Sequence, residues 1–414
     1  MARNVVLYVI DTLRADRLGF HGHRRGVSPR LDALAERSIV FERAIAQSSW
    51  TKSTMASVLT GLGPLTHGIR GPEHRLGDQA TTLAEQLGAA GWWTAAASTN
   101  AHLTAESGFA QGFDVFEALF DEGSNDASTI TAWGLDQLDR REDDRPFFLW
   151  LHVMEPHAPY APPETERRRF AASVEDRWLG SVEHVRALGD KATPATDEVV
   201  DALFDLYDAE IAATDRAFGA LLDGLEARDL TDGTVIVVLA DHGEAFRERG
   251  VFGHGWDLHA ETLDVPFLVH VPGVEPRRVG QPVQQIDVLP TLVDLFGLSA
   301  DPSVQGASLM PLVDGGDLAP RPLIATMDYE GRAGLAVVVD RFKWITPRSA
   351  DFGPPRLYDL VADPQERRDL IDERPVLAGW LESLARRAER VETEAATVDL
   401  DPETRRRLEA LGYL

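Results

Sequence analysis

Short apolar runs alternate along the chain with longer stretches that have the spacing of amphipathic helices. The runs are continuous, which is typical of strands covered on both faces. Predicted strands occupy residues 5–10, 39–41, 92–97, 147–152, 235–240 and 267–271, and predicted helices occupy residues 29–37, 53–59, 81–90, 128–140, 196–227 and 288–296. This alternation predicts an α/β fold with a large, mostly parallel central sheet flanked by helices.

The pattern changes near residue 320. Residues 335–339 and 342–345 predict an antiparallel pair of strands with Asp340 and Arg341 as the turn. A helix over residues 376–390 and a last short helix after Pro402 follow. We therefore expect a large domain over residues 1–319 and a smaller C-terminal α+β subdomain over residues 320–414.

Composition excludes several classes of function. The 414 residues include 41 Lys+Arg and 67 Asp+Glu, a net charge of −26, which argues against binding nucleic acid or an anionic membrane. A small anionic substrate remains compatible, because a bound metal can reverse the local sign of charge. The absence of cysteine excludes disulfides and thiolate nucleophiles. Without a visible leader or an apolar span, the sequence predicts a cytoplasmic protein, and it carries no signal of oligomeric state.

Polar residues stand at the ends of several predicted strands, where open α/β sheets bind ligands. Asp11 follows the first strand, Asp241 and His242 follow the strand over residues 235–240, and His157 follows the strand over residues 147–152. Thr51 stands just before a helix. Each residue alone also fits an ordinary role as a helix cap, a turn residue or a structural histidine. Together, two carboxylates and an imidazole predict a metal site with the Thr51 alcohol beside it.

The order and spacing of several motifs resemble the sulfatases of the alkaline-phosphatase superfamily. The matching segments are 4–19 (NVVLYVIDTLRADRLG), 49–61 (SWTKSTMASVLTG), 64–68 (PLTHG), 112–114 (GFD), 155–160 (EPHAPY), 240–244 (ADHGE), 253–255 (GHG), 286–291 (IDVLPT) and 357–364 (LYDLVADP). The resemblance covers nearly the whole chain and implies an alkaline-phosphatase-like sandwich.

The resemblance also implies roles for individual residues. Thr51 falls where sulfatases carry the Cys or Ser that becomes formylglycine, and it would be both nucleophile and metal ligand. The other implied metal ligands are Asp11, Asp241 and His242. His102, His157 and His254 match catalytic or anion-contacting positions, and Asn100 and Lys52 are the expected substrate-binding residues.

The departures from the family pattern narrow the chemistry. Oxidation of Thr51 would give a ketone, so the formylglycine aldehyde is not available. Met55 stands where sulfatases carry the arginine that supports the nucleophile, and Lys52 is only a weak substitute for it. Thr12 stands where sulfatases commonly carry a second acidic metal ligand. A threonine nucleophile instead resembles the phosphoryl-transferring relatives. Relatives with two metals carry an aspartate where this chain has Val153, so one divalent metal is expected, and a second metal held by His157 and His254 is the less favoured alternative. Mn²⁺ is favoured, with Zn²⁺, Ca²⁺ or Mg²⁺ as alternatives.

These inferences predict a metal-dependent hydrolase of small anionic esters. Phosphate diesters or phosphonate monoesters are the favoured substrates, with Thr51 forming a covalent intermediate and His157, His102 or His254 protonating the leaving oxygen. Two alternatives remain open: a sulfuric ester hydrolase that uses Thr51 directly, and a non-catalytic family member that binds an anion.

Overall fold

A computed structural model describes residues 3–120, 126–189, 195–394 and 396–398, together with residues 402, 405, 406 and 408. The strands are β1 (Asn4–Ile10), β2 (Ile39–Ile45), β3 (His74–Arg75), β4 (Trp93–Ser98), β5 (Val115–Ala118), β6 (Phe147–Val153), β7 (Thr234–Ala240), β8 (Ala245–Phe246), β9 (Phe252–Gly253), β10 (Asp264–His270), β11 (Arg277–Val279), β12 (Val283–Gln284), β13 (Leu323–Tyr329), β14 (Arg332–Val339), β15 (Phe342–Pro347), β16 (Arg356–Asp359) and β17 (Ala396–Thr397).

The α-helices are α1 (Pro29–Ala35), α2 (Thr51–Thr60), α3 (Pro64–His67), α4 (Leu83–Ala89), α5 (Ala127–Arg140), α6 (Glu164–Phe170), α7 (Val182–Gly189), α8 (Asp197–Glu226), α9 (Ala260–Leu263), α10 (Val288–Leu295), α11 (Met310–Val313) and α12 (Pro375–Ala388). Single 3₁₀ turns lie at Ala15–Arg17, Gly19–His21, Arg177–Gly180, Thr231–Gly233, Glu248–Gly250, Gln285–Asp287, Ala350–Phe352 and Glu389–Val391.

Among the described residues, nine strands form the central sheet in the order β11-β2-β10-β7-β1-β6-β4-β5, with β12 beside β2. The central strand β1 is parallel to its neighbours β6 and β7, whereas β10 is antiparallel to both β2 and β7. The sheet is therefore mostly parallel, which confirms the predicted fold class. The carboxyl ends of β1, β6 and β7 meet at one edge of the sheet.

Helices flank this sheet in two groups. The long helix α8 packs with α1, α5 and α6, while α2, α4 and α10 pack together as a second group. Strands β6 and β7 are buried along their whole length, which explains why their sequences are continuous apolar runs. The core is rich in β-branched residues, which fit a pleated surface.

Helix α2 begins two residues earlier than the sequence predicts. Trp50 takes the N-cap position in extended conformation, so Thr51 is the first helical residue rather than a residue that precedes the helix. Every residue of α2 is buried. Its Ser, Thr and Ala side chains are small enough to allow this enclosure, and the helix ends at Gly61 in left-handed conformation.

The C-terminal sheet is antiparallel, in the order β13-β14-β15-β16. The predicted pair over residues 335–339 and 342–345 is confirmed as part of β14 and β15, with Asp340 in left-handed conformation in the turn. Helix α12 covers this sheet, and Leu335, Trp344 and Leu381 share a second apolar core. The division at residue 320 stays a prediction, and the predicted last helix falls mainly outside the described residues.

The sequence pattern does not predict several helices and strands of the structure. The sequence pattern predicts no helix or strand over residues 164–189, yet α6, α7 and a 3₁₀ turn lie there. Helix α6 has the sequence ETERRRF, which carries almost no apolar period, and it is stabilised by packing against α8. The edge strands β5 and β11 are short and half exposed, so their pattern is weak. In the described part of the chain, no helix combines the length and the apolar character that crossing a membrane requires.

Candidate active site and metal centre

Two buried carboxylates lie at the carboxyl edge of the sheet. Asp11 directly follows β1, and Asp241 directly follows β7, the strand beside it. Asp241 Oδ1 accepts hydrogen bonds from the backbone amides of Thr12 (3.0 Å) and His242 (2.7 Å). Asp11 Oδ2 accepts one from Asn100 Nδ2 (2.7 Å). The other two oxygens, Asp11 Oδ1 and Asp241 Oδ2, have no hydrogen-bond partner.

The proximity of these carboxylates shapes their ionisation. Burial and the neighbouring Asp241 carboxylate raise the pKa of Asp11 well above its ordinary value. Burial also opposes ionisation of Asp241, but the His242 and His152 imidazoles outweigh it and hold the pKa of Asp241 below its ordinary value. Two adjacent buried carboxylates therefore do not both ionise easily unless a cation lies between them.

Two imidazoles complete a set of donors that fits a divalent cation. His242 Nε2 lies 3.4 Å from Asp241 Oδ2 and 4.0 Å from Asp11 Oδ1. Asp11, His152 and Asp241 each offer an atom within 4.8 Å of the others, and neither ring nitrogen of His152 has a hydrogen-bond partner. Buried oxygen and nitrogen atoms that lack partners and converge in this way are what a metal ion satisfies.

The segment after β7 holds His242 in a defined orientation. Gly243 donates its amide to Thr262 O (2.9 Å), and a Cβ at residue 243 would lie 2.1 Å from Glu261 O, so only glycine fits. His242 Nδ1 lies 2.9 Å from Gly243 O. Because a carbonyl oxygen only accepts, Nδ1 carries the proton and Nε2 is the nitrogen with a lone pair for a metal or a hydroxyl.

The Thr51 hydroxyl points into the same place. Its Oγ1 lies 3.1 Å from His242 Nε2, and the residue is completely buried. As the first residue of α2, Thr51 stands where the helix dipole and unpaired backbone amides favour an anion. The structure thus brings the predicted nucleophile to the predicted metal ligands, across large separations in sequence.

Three further imidazoles lie around this centre. The ring of His254 lies 4.5 Å from that of His242 and 5.0 Å from that of His157, centroid to centroid. The His102 ring packs edge-on against Trp50 at 5.0 Å. Burial lowers the pKa of His157 and of His254 to about 4, and it lowers the pKa of His102 well below its ordinary value. These rings are therefore neutral near pH 7 before an anion binds.

The two predicted substrate-binding residues both have protein partners. Asn100 uses its amide nitrogen on Asp11, while its Oδ1 accepts from the His102 amide (2.9 Å). Lys52 is fully buried, and its Nζ donates to Pro72 O (2.6 Å). Burial lowers the pKa of Lys52 to about 7, although Glu73 opposes the shift. In this structure Asn100 orients a carboxylate, and substrate contact by either residue stays a prediction.

Two residues of the site were missed at the level of sequence. His152 lies within β6, and the sequence pattern counts it only as the end of a strand; its sole signal is an imidazole in an otherwise apolar run. Glu244 follows the Asp-His-Gly segment, and its Oε1 lies 3.0 Å from His254 Nδ1 while its Oε2 accepts from Tyr160 (3.2 Å). Glu244 thereby orients His254, which only the folded chain reveals.

Comparisons with known proteins identify the family to which the chain is similar. Residues 3–298 match the sulfatase family model, and residues 248–393 match the model of the C-terminal region of N-sulphoglucosamine sulphohydrolase. An ulvan-active sulfatase from Formosa agariphila is 27% identical over 89% of this chain and 77% of its own length. A choline-sulfatase from Rhizobium meliloti is also 27% identical, over 83% of this chain and 78% of its own length.

Solved structures share the fold. The phosphonate monoester hydrolase of Agrobacterium radiobacter superposes with a TM-score of 0.79 and 21% identity, covering 97% of this chain and all of that one (100%). The phosphonate monoester hydrolase of Silicibacter pomeroyi gives a TM-score of 0.75 and 21% identity, over 94% of this chain and 95% of its own.

Proposed function

The chain belongs to the sulfatase family of the alkaline-phosphatase superfamily, whose members hydrolyse ester bonds, and from that premise we propose that it cleaves phosphate diesters or phosphonate monoesters with Thr51 as the nucleophile. The observation that carries the proposal is the Thr51 hydroxyl, buried at the start of α2 and 3.1 Å from His242 Nε2. An unmodified secondary alcohol in that position suits attack on phosphorus.

Asp11, Asp241 and His242 are the residues that would hold a divalent metal, with His152 as a further candidate ligand. When bound, the metal supplies positive charge that lowers the pKa of a neighbouring alcohol and offsets charge on the transferred group. Asn100 orients Asp11, and the Thr12 amide orients Asp241, so the protein holds both carboxylates in place.

The reaction we propose has two displacements. Thr51 Oγ1 attacks phosphorus in line, a bond forms between Oγ1 and phosphorus, and the bond to the leaving alkoxide or aryloxide breaks. The proton of the Thr51 hydroxyl is passed through the imidazole cluster to the leaving oxygen. Water then attacks the same phosphorus, the Oγ1–phosphorus bond breaks, and one proton of that water restores the Thr51 hydroxyl. The first amides of α2 stabilise the negative charge of the transferred group throughout.

Proton transfer to the leaving oxygen is assigned to the imidazole cluster. Glu244 accepts at His254 Nδ1, so Nε2 is the nitrogen that would exchange a proton with the substrate. The neutral rings of His157 and His254 acquire their proton when a negative charge is present beside them, since an anion stabilises an imidazolium. His102 lies on the side of Trp50 and is the third candidate.

The charge of the site favours a group with a single negative charge. Met55 stands where sulfatases carry an arginine, and the Asn100 amide is engaged with Asp11, so neither position supplies a positive charge. Phosphate diesters and phosphonate monoesters carry one negative charge, whereas phosphate monoesters carry nearly two at neutral pH. We therefore rank diesters and phosphonate esters above phosphate monoesters.

Sulfate-ester hydrolysis is the second candidate, favoured by the two sulfatases that are 27% identical to this chain. The threonine at position 51 speaks against it, because oxidation of its secondary alcohol would give a ketone rather than the formylglycine aldehyde on which the family's sulfate chemistry depends.

One panel of substrates tests both candidates. The Mn²⁺-loaded protein and its Thr51→Ala variant, as a control for contaminating activity, are assayed with bis-aryl phosphate, aryl phosphonate monoester, aryl phosphate and aryl sulfate. We expect kcat/KM to be highest for the diester or the phosphonate, with aryl sulfate as a weaker activity. A clear preference for aryl sulfate would promote the second candidate, and no turnover of any ester would favour a non-catalytic anion-binding protein.

A further inference from the structure

Thr12, which links the metal-site residue Asp11 to the rest of the chain, has an unusual backbone. Its φ is 54°, in the left-handed region. For a β-branched residue this conformation is a genuine outlier, because Cβ crowds the backbone there. Thr12 is also completely buried, and its Oγ1 makes no hydrogen bond. Something other than the side chain of Thr12 must therefore stabilise the turn.

Tyr207 supplies that stabilisation from the middle of α8. Its hydroxyl donates to Thr12 O (2.6 Å) and accepts from the Arg14 amide (3.0 Å). The hydroxyl thus bridges the Thr12 carbonyl and the Arg14 amide, the backbone groups that follow the left-handed residue. Its ring is fully buried and packs edge-on against Phe246 with the centroids 5.0 Å apart, so the hydroxyl has a fixed position.

The left-handed turn at Thr12 orients the carboxylates of both Asp11 and Asp241. In this conformation the Thr12 amide donates to Asp241 Oδ1, which leaves Asp241 Oδ2 as the oxygen without a partner. Asp11 is the residue immediately before the turn. A relaxed Thr12 would rotate its amide away from Asp241 and loosen the link between the two strand ends.

We infer that Tyr207 is a positioning residue for cation binding: its hydroxyl holds Thr12 in the left-handed conformation, and this turn directs the carboxylates of Asp11 and Asp241 toward one ion. The inference rests on the proposed function only in requiring a divalent cation at this centre. The Tyr207 hydroxyl bonds the backbone of Thr12 and Arg14, neither of which is a proposed ligand or reacting group.

The first test compares Mn²⁺ affinity with stability. Metal-free wild type, Tyr207→Phe and Tyr8→Phe are titrated with Mn²⁺ by calorimetry, and the Tm of each metal-free protein is recorded. Tyr8→Phe is the matched control, because it removes the hydroxyl of another buried tyrosine, one whose ring packs against Phe218 of α8. We expect Tyr207→Phe to weaken binding by roughly 10–100-fold, as loss of a group that supports a metal ligand does, and Tyr8→Phe to change it little.

A purely structural role predicts a different result. It would lower the Tm of metal-free Tyr207→Phe while leaving its Mn²⁺ affinity at the wild-type value, and that outcome would overturn the inference. If the wild type binds neither Mn²⁺ nor another divalent cation, the metal centre of the proposed function fails and the inference fails with it. Normal binding by both wild type and Tyr207→Phe removes only the inference.

A double-mutant cycle tests the route through Thr12. Glycine adopts the left-handed conformation readily, so Thr12→Gly should make the turn independent of Tyr207. We expect the loss caused by Tyr207→Phe to shrink to less than about threefold in the Thr12→Gly background. If Tyr207→Phe folds only when it is combined with Thr12→Gly, that result also supports a role of Tyr207 through Thr12. An equal loss in both backgrounds, or failure to fold in both, shows that Tyr207 acts by another route.

Discussion

At the scale of single residues, the site is defined by buried polar atoms that the protein does not satisfy by itself. Asp11 Oδ1, Asp241 Oδ2 and both nitrogens of His152 lack hydrogen-bond partners. Buried polar groups are rarely left in this state, because each costs the free energy of its lost hydration. Their convergence beside Thr51 is the strongest physical sign of a ligand site in the described part of the chain.

Substitution of Thr51, the proposed nucleophile, should separate chemistry from metal binding. We expect Thr51→Ala to lose turnover while the metal content stays close to that of the wild type. Thr51→Ser should retain a measurable fraction of the rate, because it keeps the attacking oxygen. Thr54→Ser, a buried change in the same helix whose hydroxyl bonds Ser48 O, serves as the control. Near-normal rates in Thr51→Ala would mean that water rather than Thr51 attacks.

Substitution of the imidazoles should identify the metal ligands. We expect His242→Ala to lose most of the bound metal, and His152→Ala to weaken binding by about tenfold or more. Elemental analysis after dialysis against limiting Mn²⁺ measures both effects. His270→Ala is the control, because the His270 ring lies outside the site, where its Nδ1 is 2.8 Å from the Arg37 carbonyl oxygen. Full metal occupancy in His242→Ala would remove that residue from the ligand set.

At the scale of secondary-structure elements, one helix is capped by another. The N-cap residue of α1, Ser28, does not cap the backbone amides of the helix, because its hydroxyl donates to the Asp32 side chain (3.1 Å). Instead Asp215 of α8, which is buried, accepts from the amides of Arg30 (3.0 Å) and Leu31 (2.8 Å). A carboxylate at a helix N-terminus satisfies unpaired amides and complements the dipole. This contact ties α1 to α8 on one side of the sheet.

The cap makes a quantitative prediction. Asp215→Ala should lower the free energy of unfolding by about 1–3 kcal/mol, because two buried amides lose their acceptor. Asp215→Asn should cost less, since its carbonyl oxygen still accepts. The matched control is Asp223→Ala, on the same helix, which removes an exposed partner of the Arg30 side chain and should change stability by under about 1 kcal/mol. Urea denaturation of the wild type and the three variants measures the free energy of unfolding of each. Equal losses of that free energy in Asp215→Ala and Asp223→Ala would refute the capping role.

At the scale of the whole molecule, the acidic surface dominates the long-range electrostatics. The net charge of −26 makes the folded protein repel itself and repel an anionic substrate. The positive charge that the reaction needs must therefore come from within the site, which is consistent with a metal-dependent enzyme.

Salt should therefore stabilise the protein. Raising NaCl from about 0.01 M to about 0.1 M shortens the Debye length from roughly 30 Å to roughly 10 Å and screens the repulsion. We expect the Tm of the metal-free protein to rise by about 2 °C or more, which corresponds to roughly 1 kcal/mol in a large domain. A neutral sugar at equal osmolarity is the control. A Tm that falls with salt would mean that ion pairs outweigh the net repulsion.

By itself the sequence determined the fold class, the central strands and the identity of the main candidate residues. The spacing of hydrophobic residues and the order of motifs are local properties of the chain. They suffice to place Asp11, Asp241 and His242 at strand ends. They also predicted the β14–β15 hairpin, whose turn is encoded by neighbouring residues. Local signals failed for α6 and for the edge strands, where tertiary packing outweighs propensity.

Only the tertiary structure decided which atoms meet. The sequence pattern of an apolar strand does not show whether a histidine in it is a core residue or a metal ligand. His152 becomes a candidate ligand because the sheet places the end of β6 beside β1 and close to the end of β7. The bond from Tyr207 to Thr12 spans 195 positions, and the left-handed conformation at its end is a property of one backbone angle. The Glu244–His254 pair and the engagement of Asn100 with Asp11 are likewise products of close packing. Such contacts depend on the geometry of the whole fold, which no local stretch of sequence encodes.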